Sequence, residues 1–366
     1  MAPSTDSAPA AFWITEVHPN AGPKTYQTHQ RSQLPESAPQ NFEHALLLDF
    51  EPVFPPGEPC TLEAMRARIK RVVQNDHNSD RPPIDLVAFV CGDRGGEGRV
   101  WRALDGLQPR HLLVKGGTPG DFNFNGLTRL STKWPLQHVW ISSCMSRNYE
   151  EFDPIYDTVT SLSFFDCEDP SSFLPELPRL RKFAVFESGS CSVFAHAIHY
   201  RMTHPEMLQV LHIQTTDGID FEDEYHAGDF CNALQQCLSL KTLEFYTIYR
   251  FDGDDRDEEH QVFAKSLPPS LQHLRIRGPA FLLSSDFAED RRILTECAAD
   301  PGWLPNLETI TFRLDAKNHA HIKNRFSPQD AANPRAPEID AFLTTLKGSH
   351  PSLEVVEWDR SVLGGL

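Results

Sequence analysis

The sequence predicts an α/β chain whose parallel sheet is open and curved, with strands on its concave face and helices or loops behind them on the convex face. Three observations carry this reading: a short apolar motif that recurs from Trp134 to the C-terminus, helix-period segments between its copies, and polar residues alternating inside the motif itself.

In the motif an apolar residue is followed three and five positions later by two more. It reads LQHVWI from Leu136, VTSLSF from Val159, LRKFAV from Leu180, LQVLHI from Leu208, LKTLEF from Leu240, LQHLRI from Leu271, LETITF from Leu307 and LEVVEW from Leu353. Successive starts are 23, 21, 28, 32, 31, 36 and 46 residues apart, so the shorter intervals suit a strand with a tight return and the longer ones leave room for a helix. Weaker copies precede them as HALLLDF from His44, IDLVAFV from Ile84 and HLLVKG from His111. Proline beside leucine or serine introduces many copies, as in LPELPRL, SLPPSL, WLPNL and HPSL. Proline cannot pair inside a strand, so it marks strand entrances. Helical spacing of apolar residues runs through 61–74, 193–202, 230–238, 287–298 and 339–346.

Alternating strands and helices suit a closed barrel, a doubly wound sheet or an open solenoid, and the strand interiors choose among them. In the first two both faces of the sheet are buried and the strands read as apolar runs. Here Gln272, His273 and Arg275 interleave with Leu271, Leu274 and Ile276, and Lys241, Thr242 and Glu244 with Leu240, Leu243 and Phe245, which places one face in water. An open sheet follows. The alternative that remains is a hydrolase on a (β/α) barrel with its site at the C-terminal ends of the strands.

This pattern resembles the leucine-rich-repeat family, whose strand segment reads L-x-x-L-x-L, and its irregular, proline-marked form is similar to fungal F-box-type leucine-rich-repeat proteins. The resemblance covers roughly residues 84–360. It implies an open right-handed solenoid, a horseshoe, that recognises another protein on its concave face. Cys144 and Cys167 stand where the family carries Asn or Cys after the third apolar position. No F-box is recognisable, Leu34-Pro35-Glu36 matching only its opening. A ubiquitin-ligase substrate adaptor with a divergent or lost F-box is therefore a second functional alternative.

Residues 1–40, rich in Pro, Ser, Ala and Gln, are expected to form a flexible arm tacked down by Phe12, Trp13, Ile14 and Val17, and residues 41–366 a single solenoid domain with degenerate N-terminal repeats and a C-terminal cap. With 34 Lys and Arg against 51 Asp and Glu, the net charge of −17 gives no footprint for a nucleic-acid backbone. The eight cysteines form no CxxC pair, the first residues do not read as a signal peptide, and no apolar run reaches the length of a membrane span. A cytoplasmic or nuclear protein with reduced thiols is expected.

If the repeats stack, the residue between the last two apolar positions points outward in every copy, giving the column Trp140, Ser163, Ala184, His212, Glu244, Arg275, Thr311 and Glu357. Two positions further on, the column runs through Ser142, Phe165, Phe186, Gln214, Tyr246, Arg277, Arg313 and Asp359. The residues expected to bind a partner are Trp140, Phe165, Phe186, His212, Tyr246, Arg275, Arg277 and Arg313, aromatic rings and arginines being the commonest interface anchors. The partner expected is a protein, with an acidic segment opposite the arginines. Ordinary structure would explain the same residues by a loop covering the aromatics and by Glu244 pairing with Arg275.

Signals for chemistry are weak. The acidic stretch 251–260 lacks the spacing of a calcium loop, and a second one spans 220–225. His196 with His199, and His319 with His321, lack an identifiable third metal ligand. The glycine-rich stretches from Cys91 and Val114 match neither a phosphate loop nor a dinucleotide fingerprint, and there is no GxSxG elbow. No catalytic residue, cofactor or metal is expected.

Overall fold

Seven junctions between successive strong or weak copies of the motif are made by the same pair of backbone bonds. The carbonyl of the residue after the first apolar position accepts both the equivalent N–H of the next copy and the N–H that follows it. Thus Gln209 O accepts from Lys241 and Thr242, Lys241 O from Gln272 and His273, and Gln272 O from Glu308 and Thr309. Asp85, Arg110, Gln137 and Arg181 do the same for the copies after them, and all these N···O distances lie between 2.8 and 3.2 Å. The first apolar residue is buried in every copy, from Leu136 and Val159 to Leu307 and Leu353. The motif read from the sequence is therefore a structural repeat.

The computed structural model describes residues 11–18, 21–30, 42–50, 62–76, 80–90, 98–121, 130–145, 157–167, 170, 174, 176–186, 190–215, 224–247, 263–277, 288–313 and 337–357. These form an α/β structure with a mostly parallel sheet. The chain divides into two compact units, Met1–Pro175 and Glu176–Leu366.

The first unit contains strands β1 (Phe12–Val17), β2 (Lys24–Thr28), β3 (His44–Asp49), β4 (Leu86–Val90), β5 (His111–Asp121), β6 (His138–Met145) and β7 (Ser161–Phe165). It also carries helices α1 (Leu62–Asp76) and α2 (Gly98–Trp101). Its strand order, β2-β1-β3-β4-β5-β6-β7, is linear, with β2 antiparallel to β1 and the other pairs parallel. Residues 12–28 thus correct the expectation of an arm. Phe12, Ile14 and Val17 are at most 4% exposed because β1 is a strand of the sheet, in register with β3 from Trp13↔His44 to Val17↔Leu48.

Both faces of this unit's sheet are apolar. One row, Leu46, Val87, Leu112, Val139 and Leu162, is buried. On the same side, Phe89 meets Trp101 of α2 at 4.7 Å between ring centroids, and Trp101 meets Trp134 at 5.8 Å. Ala45, Leu47, Leu86, Ala88, Leu113 and Trp140 are buried on the opposite face. The near-continuous apolar runs LLLDF and LVAFV are the sequence form of such doubly buried strands.

At the ends of β6 and β7 two equivalent corners follow one another. Ser143 and Asp166 take left-handed φ values of 51° and 49°, and each is followed by a buried cysteine. Cys144 Sγ donates to the carbonyl of Ser142 at 3.2 Å; Cys167 Sγ donates to Ile141 at 3.6 Å and Phe165 at 3.4 Å. The thiols satisfy carbonyls that turn out of the ladder. Burial pushes both thiols up, Cys167 to about 11, so neither ionises at neutral pH. Native-state alkylation followed by peptide mapping should therefore label Cys297 first among the six described cysteines. Cys144, Cys167, Cys191, Cys231 and Cys237 should react more slowly by over about tenfold. Rapid labelling of Cys144 or Cys167 would mean that these corners open readily.

The second unit runs β8 (Lys182–Phe186), α3 (Ser190–His196) with a π-turn over Ala197–Arg201, β9 (Val210–Thr215), α4 (Glu224–Gln236), β10 (Thr242–Thr247), α5 (Phe263–Ser266), β11 (His273–Arg277), α6 (Ala288–Ala299), β12 (Thr309–Arg313), α7 (Pro337–Ser349) and β13 (Glu354–Glu357). Its order, β8 through β13, is also linear, and the pairs are parallel. α3 with its π-turn, α4, α6 and α7 overlap the segments where apolar periodicity placed helices, whereas the short α5 was not among them. A file of phenylalanines, Phe183, Phe194, Phe230, Phe245 and Phe263, joins strands to helices with successive centroids 5.2–6.3 Å apart. The last strand is displaced by one residue: Thr311 pairs with Val356 rather than Glu357, and Ile310 with Val355. Two adjacent valines make either one an acceptable inward residue, so alternation did not fix this register.

Candidate functional site

The polar face of the second unit is laid out in rows across its strands. Ala184, His212, Glu244, Arg275 and Thr311 are consecutive Cα partners on β8 to β12, and Phe186, Gln214, Tyr246, Arg277 and Arg313 form the next row. Between these residues Leu211, Leu243, Leu274 and Ile310 point the other way and are buried. From β8 to β12 the predicted columns are rows of the sheet.

Within the first row the charges are arranged in sequence. His212 Nε2 lies 3.7 Å from Glu244 Oε2, and Arg275 NH1 lies 3.5 Å from the same oxygen. Burial, followed by the nearby charges of Lys182 and Arg275, brings His212 down to about 4, so the imidazole is neutral near pH 7. Glu244 is thus shared between a neutral ring and one guanidinium. Arg275 is half exposed, and its contact with Glu244 is long, so the pair holds little energy and leaves the guanidinium's planar fork able to take a partner's carboxylate. On the row below, His273 Nδ1 and Thr309 Oγ1 are 2.9 Å apart.

The aromatic half of the predicted surface needs correction. Trp140 lies on the predicted face but is only 5% exposed, and it belongs to the apolar cluster of Phe12, Ile14, Phe42, Ala45, Leu47 and Leu113. Phe165 is half-buried and stacks against it at 6.4 Å with an interplanar angle of 17°. These two rings are part of a core rather than an open stripe, because the strands beside them are apolar on both faces. Phe186, in the second unit, is half-buried. The side chains of Tyr246, Arg277 and Arg313 lie outside the described residues, as do the acidic stretch 251–260, residues 220–223, His319 and His321.

The structure also brings together polar groups that the sequence did not single out. His44 Nδ1 donates to the Pro82 carbonyl at 2.9 Å, which leaves Nε2 to accept from Thr15 Oγ1 at 2.8 Å, and Thr15 in turn meets Thr25 Oγ1 at 3.0 Å. Thr15 and His44 are each 2% exposed, and burial keeps the ring neutral. A hydroxyl–imidazole pair so enclosed ties β1 to β3 rather than meeting a substrate. Asp85 Oδ1 accepts the N–H groups of Glu43 and His44, and its Oδ2 meets Arg110 at 2.9 Å. At the other end of β1, His18 lies 3.2 Å from Asp49 and 3.6 Å from Glu16, whose second oxygen accepts the Tyr26 hydroxyl. His199, one of the predicted histidine pair in α3 and its π-turn, contacts Gln236 of α4 at 3.3 Å.

Among the described residues no group of three His, Cys, Asp or Glu side chains has the geometry to hold a metal ion. No described helix is long and apolar enough to cross a membrane. No family model matches the chain, and no curated protein is similar to it.

Proposed function

We propose that the chain is a recognition scaffold of the leucine-rich-repeat kind, an open solenoid that holds a protein partner against the polar face of the second unit's sheet. The observation that supports this reading is the row His212, Glu244, Arg275 and Thr311, which runs across four parallel strands with its side chains partly or fully exposed while the preceding residues Leu211, Leu243, Leu274 and Ile310 are buried. Regular spacing of exposed polar groups on a rigid sheet is what recognition of an extended segment requires. The two-donor carbonyl repeated at seven strand entrances and the cysteine corners at the ends of β6 and β7 favour the family resemblance. A (β/α) barrel would need a sheet closed on itself, whereas the strand order within each unit is linear.

The partner chemistry follows from the charges. Arg275, with Arg277 and Arg313 registered on the adjoining row, suits an acidic segment. Affinity purification of the intact chain beside a variant carrying Arg275→Glu, Arg277→Glu and Arg313→Glu tests the proposal, provided that both unfold at similar temperatures. The expected result is selective loss of one captured protein from the variant, with affinity reduced by about a hundredfold or more. An identical set of captured proteins would move recognition off this face, and no specific capture by either chain would reopen an enzymatic reading.

A further inference from the structure

The first unit holds a largely buried polar cluster at the margin of the apolar core around Trp140, independent of the polar face of the second unit. On the face of β5, β6 and β7 that carries Trp140, the strand register stacks His111 beside His138 and Ser161, and Trp140 beside Ser163. One row further toward the strand C-termini come Lys115, Ser142 and Phe165. Three buried polar atoms on this face, His111 Nδ1, Trp140 Nε1 and Ser161 Oγ, have no hydrogen-bond partner among the described residues. Trp140 is 5% and His111 8% exposed, and Ser142 and Ser163 are buried too. His138, Ser161 and Phe165 are half-buried around them, and Lys115 is exposed at the edge.

Buried polar atoms are nearly always satisfied, and three orphans on one face of three adjacent strands call for a common partner. What that partner offers can be read from the groups themselves. The indole N–H donates and never accepts, the serine hydroxyls donate freely, and the ammonium of Lys115 is a point charge at the margin. No carboxylate stands at these positions on β5, β6 and β7; Asp49 of β3 lies in the row of Lys115 but two strands away across Val90, beside His18, and the Asp85 charge acts on His111 from beyond these rows. We propose that this face is a binding site for a small oxyanion, a carboxylate or phosphate group that accepts from Trp140 and Ser161 and is balanced by Lys115. The ring of His111, kept neutral mainly by burial, adds a further polar contact without repelling or overcharging the ligand.

The test follows the tryptophan indole N–H resonances of the full chain labelled with nitrogen-15, titrated with inorganic phosphate and separately with acetate at constant ionic strength set by sodium chloride. Trp140 is assigned as the resonance missing from Trp140→Phe. If that variant does not fold, Phe165→Leu, which alters the ring stacked on it, supplies the assignment. A saturable shift confined to the Trp140 resonance is expected, with a Kd on the order of 1 mM for at least one anion, and weakening by about tenfold in Lys115→Met. Whichever anion saturates identifies the ligand's group as carboxylate or phosphate. The proposal is overturned if neither anion moves Trp140, if chloride moves it equally, or if Lys115→Met and Ser161→Ala both leave the Kd unchanged. In those cases the orphan donors are satisfied by water alone.

Discussion

Replacing Gly116 with alanine is expected to cost the first unit about 3 kcal/mol or more. A Cβ at this position would stand 2.0 Å from the carbonyl oxygen of Ser143 and 3.3 Å from Cys144 Sγ. The nearer contact is with backbone, which cannot swing aside as a flexible side chain would. Ser143 is already held at a φ of 51°, and it sets the corner that buries Cys144. Gly116 also sits where the β5–β6 register breaks between Lys115 and Gly120, so the two strands approach there out of their regular pairing. Relief of the clash must therefore separate β5 from β6 or undo the corner. For a unit of this size the loss corresponds to a fall in Tm of about 6–12 °C, measurable by thermal unfolding. Gly22→Ala is the control, since its Cβ would meet nothing within 4 Å, and it should leave Tm within about 1 °C. Equal melting of the two variants would show that Gly116 does not lie against the Ser143 carbonyl.

Gly116 also illustrates which parts of the fold can be read from sequence. The segment VKGGTPGDFNFNG suggests a loop after a strand, and nothing local distinguishes Gly116 from Gly117. Only the partner strand does. By contrast, the first apolar residue of each motif was legible because it repeats in sequence and performs one task, closing the strand entrance over the core. The polar row of the second unit was legible for the same reason: His212, Glu244 and Arg275 each alternate with two buried apolar neighbours. Strict alternation does not extend into the first unit, where LLLDF and LVAFV fill both faces. Extending the outward column to Trp140 therefore placed a core residue on an open surface. The strand FWITEV was masked by the Pro- and Ser-rich composition on either side of it, although its apolar residues are what hold it in the sheet. The final register was lost to the Val355–Val356 pair, which presents two equivalent choices.

The hydrogen-bonded junction around Asp85 was illegible for a further reason: its members come from distant parts of the chain, His44 being 41 residues away. Its contribution can be separated by substitution. Asp85→Ala removes the acceptor for the N–H groups of Glu43 and His44, which sit 3.3 and 3.2 Å from Oδ1 at the entrance to β3. It also removes the contact with Arg110, whose side chain is 47% exposed and can return to water. The Asp85 side chain is 11% exposed, so water has little access to the amides left behind. Stranding them is expected to cost about 2–3 kcal/mol, whereas loss of the half-exposed ion pair accounts for less than about 1 kcal/mol. Asp85→Asn keeps a side-chain oxygen for the amides and gives up only the charge. The order of stability should therefore be wild type, then Arg110→Ala and Asp85→Asn close together, then Asp85→Ala well below both, as read from urea unfolding midpoints at constant m. If Arg110→Ala falls as far as Asp85→Ala, the junction is held by its charge pair instead. Raising the salt concentration should then narrow the gap between wild type and Arg110→Ala, because a partly exposed pair is screened while amides bonded to a buried oxygen are not.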